Sequence, residues 1–329
     1  MHDYDVVTMG SATVDLFAAT DAELVQIQTR HSMERLLAYP LGGKILIREL
    51  DTAIGGGGTN TAVAFARLGL RTAFLGKVGS DPQGEQVMAA LAAEHIDFIG
   101  ARGGQTGLSM ILDAIGQDRT ILAYKGANDQ LRLEDITLPR CRWLYCSAML
   151  GDSLETQQQL VRQIDAKVAF NPSSYLAQRG AEALKPMLEH TSALILNKEE
   201  SCELLGLPEH ESRPLAELAR TLSQQLAIPV VAVTDGAHGV AATDGHSLVT
   251  AQPGPNLSIV ETTGAGDAFA SAFVAMLCQE QPLARAVRAG MFNSESVLAY
   301  RGAKNRLLTA PELTSRLEAD RRPLQEQPY

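Results

Sequence analysis

The chain has 329 residues, 45% of them hydrophobic and 20% charged, the balance of a globular protein large enough to bury a sizeable core. A formal net charge of -10 excludes a general nucleic-acid binder, which needs a basic face, but not a nucleotide held at a local positive site. No apolar run nears membrane-spanning length and no basic stretch precedes an apolar one at the start, so the expected setting is the cytoplasm, away from membranes.

Cys141, Cys146, Cys202 and Cys278 fit neither a C-x-x-C nor a zinc spacing and read as small buried residues of a reducing compartment. Taken in order, residues 5–10 are a β-prone run ended by glycine, a first core strand. Asp15 follows just beyond, at the edge where open α/β sheets bind ligands; it can hold sugar hydroxyls or be a solvated loop acid. Residues 44–50 alternate as a half-exposed strand does. Residues 54–69 open with Gly55, Gly56, Gly57 and Gly58 and continue as a helix of small residues stopped by Gly69. Asn60 falls in its first turn, where an amide can both donate to and accept from a polyol. The turn lacks the Lys-Ser/Thr of a Walker P-loop and the strand, helix and downstream acid of a dinucleotide fingerprint, which argues against a dinucleotide-dependent oxidoreductase.

Residues 72–76 read as a strand and residues 79–85 as a turn that caps a helix over 86–94. Two β-like runs, 108–112 and 120–124, flank turn text at 115–119. A hairpin with no crossover helix does not suit a parallel sheet, so it is placed with residues 44–50 in a small separate sheet, a lid. Lys125 ends the hairpin and puts a cation near the ligand edge. Strand and helix then alternate, with strands at 143–147, 167–171, 193–197 and 229–234, the pattern of a doubly wound parallel sheet. Asn197 and Glu200 stand one helical turn apart, able to face a shared ligand or hydrated magnesium, or to serve simply as first-turn residues. Thr234, Gly236 and Gly239 form a strand and turn suited to backbone contact with a nucleotide. His238 between them has no acid or nucleophile spaced to work with it and reads as a turn residue.

Residues 261–269 carry the strongest chemical signal. A polar, glycine-punctuated turn runs into an apolar helix over 268–277, so Gly264 and Gly266 sit at a helix N-terminus, where unpaired amides and the helix dipole attract anions. Asp267 is the odd residue there. A carboxylate repels an anion unless it is present to take a proton from an attacking hydroxyl; the other reading is an ordinary helix cap. Residues 300–305 end another small-residue helix near this turn, and the polar, proline-containing residues 320–329 are expected to be loose.

In this order, Gly55-Gly56-x-x-x-Asn60-x-Ala62, Asn197-x-x-Glu200, Thr234-x-Gly236-x-x-Gly239 and Thr263-Gly264-Ala265-Gly266-Asp267 resemble the ribokinase-like, or phosphofructokinase-B, family of carbohydrate and nucleoside kinases. The resemblance runs over nearly the whole chain, and residues 10–15 and 126–128 look like the ribokinase branch. It implies an α/β fold, a three-layer, doubly wound, mostly parallel sheet with helices on both faces plus a small β-sheet lid. Core segments are then 1–15, 54–106 and 127–319, lid segments 16–53 and 107–126, and residues 320–329 a tail.

The implied activity is ATP-dependent transfer of the γ-phosphate to a hydroxyl of a sugar, with a nucleoside as the alternative acceptor. By resemblance Asp267 would be the base, and Gly264, Ala265 and Gly266 would complete an anion hole with it. Asp15, Gly55, Gly56 and Asn60 would hold the acceptor, while Asn197, Thr234, Gly236 and Gly239 would border the nucleotide. Glu200 would hold Mg2+ through water. Glu261 stands where the family usually has Asp; with Thr263 it would supply ligands for a monovalent cation, K+ in relatives that potassium activates. A second copy of the chain would pair through the lid. A catalytically silent sugar or nucleotide sensor on the same fold is the reading of another class; it could dispense with Asp267, which is present here in its full motif.

Overall fold

A computed structural model describes residues 2–20, 23–28, 33–113, 119–208, 212–255, 257, 259–300 and 302–329. Strand β1 (Tyr4–Met9) leads into β2 (Thr13–Thr20), the hairpin β3 (Glu23–Gln28) and β4 (Met33–Ala38), and β5 (Ile47–Gly55). Then come α1 (Gly57–Arg67), β6 (Thr72–Leu75), β7 (Lys77–Val78), α2 (Pro82–Ala93), β8 (Asp97–Phe98), β9 (Ala101–Arg102), β10 (Gly107–Asp113) and β11 (Arg119–Tyr124). The next stretch alternates: β12 (Cys141–Ser147), α3 (Gly151–Val161), β13 (Lys167–Asn171), α4 (Ser173–Ala177), α5 (Gly180–Leu188), β14 (Ala193–Asn197), α6 (Lys198–Leu204), α7 (Leu215–Leu226) and β15 (Val230–Thr234). The chain closes with β16 (Val240–Thr243), β17 (Ser247–Ala251), α8 (Ala265–Cys278), α9 (Leu283–Leu298), α10 (Ala310–Ala319) and β18 (Leu324–Pro328).

One sheet runs in the order β18-β17-β16-β15-β14-β13-β12-β1-β6-β8. Its strands are parallel from β15 to β8 and antiparallel from β15 outward to β18. A parallel sheet needs cover on both faces, and successive side chains of a strand point to opposite faces. Thus Val6, Trp143 and Tyr145 pack with Phe273 and Phe292 of α8 and α9, while Val7, Leu144 and Cys146 pack with Leu160, Leu184 and Leu218 of α3, α5 and α7. This is the expected three-layer, doubly wound architecture. The C-terminal ends of β1, β14 and β15 leave the sheet along one edge, where such folds take their ligands.

The lid is a four-stranded sheet in the order β11-β10-β2-β5. The hairpin and the strand near residue 47 join in it as expected, but they flank β2, a strand that the sequence does not announce. Asp15 therefore lies on a lid strand, not in a core loop, and the lid reaches down to Thr13, parallel to Gly107 and antiparallel to Gly55. Of the expected turn over 115–119, residues 115–118 lie outside the described residues.

Two boundaries differ from expectation. Helix α2 begins at Pro82, capped by Asp81 accepting from the Gly84 amide, so the glycine-bearing text is its first turn, not a turn before it. The tail is not loose: Leu324–Pro328 pairs antiparallel with β17. An open sheet edge offers unpaired amides and carbonyls to any extended segment held beside it, and Arg322 holds this one through Glu295 (2.6 Å) and Asp320 (3.0 Å). All four cysteines are buried, and none forms a disulfide among the described residues. Among the described residues no helix is long and apolar enough to cross a membrane.

Candidate active site

Gly264 is the N-cap of α8, at φ 79°. Only glycine takes this left-handed conformation without strain, and a Cβ here would overlap Ala303. The Ala265 amide donates to the Thr262 carbonyl at 3.2 Å. The amides of Gly266 and Asp267, in the same first turn, have no backbone acceptor among the described residues and face the start of the helix.

Asp267 is joined to the other end of the chain. Asn60 on α1 donates from Nδ2 to Asp267 Oδ2 at 2.9 Å, across 207 positions of sequence. The Asn60 Oδ1 is buried and has no hydrogen-bond partner among the described residues. Gly56 caps α1, and Gly55 ends β5 against the Asp15 carboxylate, which a Cβ at Gly55 would overlap. Asp15 also accepts from Thr13 Oγ1 at 2.8 Å and from Ser109. Asn128 braces the backbone beside it, accepting from the Ala12 amide (2.8 Å) and donating to the Ala12 carbonyl (2.9 Å). Asp15, Gly55, Gly56 and Asn60 thus come together at one end of α1, although they reach it from the lid, the turn and the helix.

On the other side of α8 lies a cavity of about 690 Å³ lined by Asn197, Thr234, Gly236 and Gly239 together with Ala265, Gly266 and Phe269. That volume suits a nucleotide-sized ligand. Asn197 and Thr234 are register partners at the ends of β14 and β15, which is why residues distant in sequence share a wall. Asn197 and Glu200 bond to each other in a capping box, at 3.0 and 2.8 Å. His238 is exposed and leans on Asp235, and Lys125 lies over the Tyr175 ring.

The order of motifs and their meeting at α8 agree with the sequence comparison: the model for the pfkB family carbohydrate kinases matches residues 5–310. This chain belongs to that family. A pfkB relative, an uncharacterized sugar kinase of Archaeoglobus fulgidus, is 30% identical over 257 residues, 74% of this chain and 98% of that one. A ribokinase of Haemophilus influenzae is 29% identical over 279 residues, 81% and 88% of the two chains. In fold, this pfkB chain superposes on a ribokinase from Thermotoga maritima with a TM-score of 0.78 at 21% identity, covering 96% and 99% of the two chains. A nucleoside kinase from Methanocaldococcus jannaschii gives the same TM-score, 0.78, at 19% identity and 97% and 100% coverage.

The electrostatics of this pfkB site are those of enclosed acids. Burial pushes the Asp267 carboxyl up to about 6, while the Asn60 hydrogen bond and the Lys304 charge pull it back. Burial likewise raises Asp15, against its bonds to Thr13 and Ser109 and the charge of Lys304, with Glu261 adding to the rise. Glu200 is raised by burial as well. Among the described residues no cluster of three or more His, Cys, Asp or Glu is placed to hold a metal ion. Glu261 accepts from the Gly302 amide at 2.9 Å, and the buried Thr263 Oγ1 has no hydrogen-bond partner among the described residues, which fits a cation at that hydroxyl.

Lys304 is the site residue that its sequence does not mark. It carries no motif, and only the packing of the loop after α9 against Gly264 brings it in.

Proposed function

We propose that this kinase transfers the γ-phosphoryl group of ATP to a hydroxyl of a sugar, with Asp267 as the base. The observation that carries the reading is the Asn60–Asp267 bond, which sets the acceptor turn and the anion turn face to face at the start of α8. A hydroxyl held by Asp15 and the open Asn60 Oδ1 would lie beside the Asp267 carboxylate and give it a proton as it attacks phosphorus. The amides of Gly266 and Asp267 would meet the charge on the transferred group, and Gly264 keeps the backbone close enough to do so. The cavity edged by Asn197, Thr234, Gly236 and Gly239 would hold the nucleotide. Magnesium bound with ATP would be held from this chain by Glu200 through water, supplying positive charge at the phosphates. Glu261 and Thr263 would hold a monovalent cation such as potassium.

The lid would close over the acceptor and keep water from competing for the phosphoryl group. Its outer strands expose Ile47, Leu50, Ile121, Leu122 and Tyr124, which supports pairing with the lid of a second copy. The reaction belongs to the cytoplasm, where ATP and free sugars meet.

A second reading takes a nucleoside as acceptor, favoured by the equal likeness in fold to the nucleoside kinase. A thermal-shift screen of pentoses, hexoses and nucleosides in the presence of a non-hydrolysable ATP analogue separates the two. The reaction itself is tested by Asp267→Asn. The variant should fold and bind nucleotide normally and lose phosphoryl transfer by roughly a thousandfold or more. Turnover near the wild-type rate would remove Asp267 from the mechanism.

A further inference from the structure

Lys304 leaves the loop after α9 and enters the acceptor side of the site. Its Nζ donates to Thr59 Oγ1 at 2.8 Å, and that hydroxyl in turn donates to the Gly55 carbonyl at 2.6 Å. Its backbone is fixed as well. Arg67 donates from Nη1 to the Lys304 carbonyl at 3.0 Å and is itself paired with Glu94, while Ala303 packs on Gly264. The backbone that bears the lysine is thus packed against the Gly264 turn.

The charged groups that face the ammonium come from four elements: Asp15 on β2, Asp267 on α8, Glu94 at the end of α2, and Arg67 on α1. Asp15 and Asp267 are the carboxylates of the acceptor site, and Lys304 opposes the effect of burial at both. An ammonium so enclosed is costly unless compensated, and here Thr59 Oγ1 accepts from it at 2.8 Å while the charges of Asp15 and Asp267, beyond ion-pair distance, favour its protonated form.

We propose that Lys304 is the positioning charge of the acceptor site, holding Asp267 ionised and in place while balancing Asp15, and so linking acceptor binding to proton removal. The proposal rests on Asp267 being the base. Burial pushes the Lys304 ammonium down to about 7, against the pull of Asp15, Asp267 and Glu94 and with the push of Arg67.

The test is a pH titration of the free enzyme by carbon-detected NMR of side-chain carboxyls, the Asp267 signal being assigned by its absence in Asp267→Asn. In Lys304→Met the Asp267 midpoint should move to higher pH by roughly one unit, and in Lys304→Arg it should stay at the wild-type position. An unmoved midpoint in Lys304→Met overturns the proposal. The reciprocal measurement needs no lysine variant: the Lys304 side chain should titrate at lower pH in Asp267→Asn than in wild type, since coupling between two sites is mutual. An unmoved lysine there overturns it also. Activity separates this from the base assignment: an inactive Asp267→Asn with an unmoved Lys304→Met midpoint sinks the lysine alone, and an active Asp267→Asn sinks both.

Discussion

Asp15 and Asp267 are both aspartates lifted by burial, yet their surroundings divide their work. Asp267 accepts from the Asn60 side-chain amide and shares the first turn of α8 with the Gly266 amide, surroundings that suit the proposed base. Asp15 accepts from the hydroxyls of Thr13 and Ser109, which favour its ionised form against burial and suit the proposed part in holding the acceptor. Replacing Asp15 by Ala should therefore raise the Michaelis constant for the acceptor about tenfold or more and leave that for ATP nearly alone, as steady-state kinetics with each substrate varied will read. Equal effects on both would make Asp15 a structural residue. The raised Asp267 carboxyl also predicts an acid limb: a base must be deprotonated, so kcat/KM should fall as pH drops through about 6.

At the scale of elements, the site is a crossing of helix starts. Helices α1 and α8 each begin in a glycine turn, and the Asn60–Asp267 bond ties their first turns together. The buried face of α8, from Ala268 through Phe273, then anchors that geometry in the core against α9. Gly264→Ala tests how tightly the turn is held. A left-handed non-glycine residue costs about 1–2 kcal/mol, and the added methyl meets Ala303, so the loop bearing Lys304 must move. The variant should melt lower and lose most of its kcat while nucleotide binding, measured by calorimetry, changes far less. A variant with full kcat would show that the turn tolerates displacement.

For the molecule as a whole, the tail closes the sheet. Arg288 is only 5% exposed and reaches Asp320 at 2.8 Å, while Arg322 links Asp320 to Glu295 on the wall of the nucleotide cavity. Removing residues 320–329 would strip β17 of its outer partner, leaving it paired to β16 alone, and would take from Arg288 the Asp320 carboxylate and the Arg322 and Pro323 carbonyls, a loss of about 3–5 kcal/mol. The truncated protein should melt roughly 10 °C lower yet keep its kcat well below that temperature, since Asp267 and Asn60 lie elsewhere. An unchanged melting curve would mean that the tail strand adds nothing to stability.

The fold class was legible because it rests on local text. Apolar runs such as residues 193–197 and 229–234, separated by helical patterns, dictate a parallel sheet wherever they pack, and the glycine turns at Gly55 and Gly264 mark helix starts by composition alone. The type of chemistry came from the resemblance of four motifs in their order, since Asp267 taken alone also reads as a helix cap. Tertiary structure decided what depends on distance in space. β2 does not stand out by alternation and becomes a strand only between β5 and β10; β18 is polar and forms because an edge lies open beside it. Lys304 belongs to no motif, and burial next to Asp15 and Asp267 gives it a charge to balance. Local sequence sets backbone preference and hydrophobic period, whereas the desolvation and Coulomb energies that make a site arise only between residues that folding brings together.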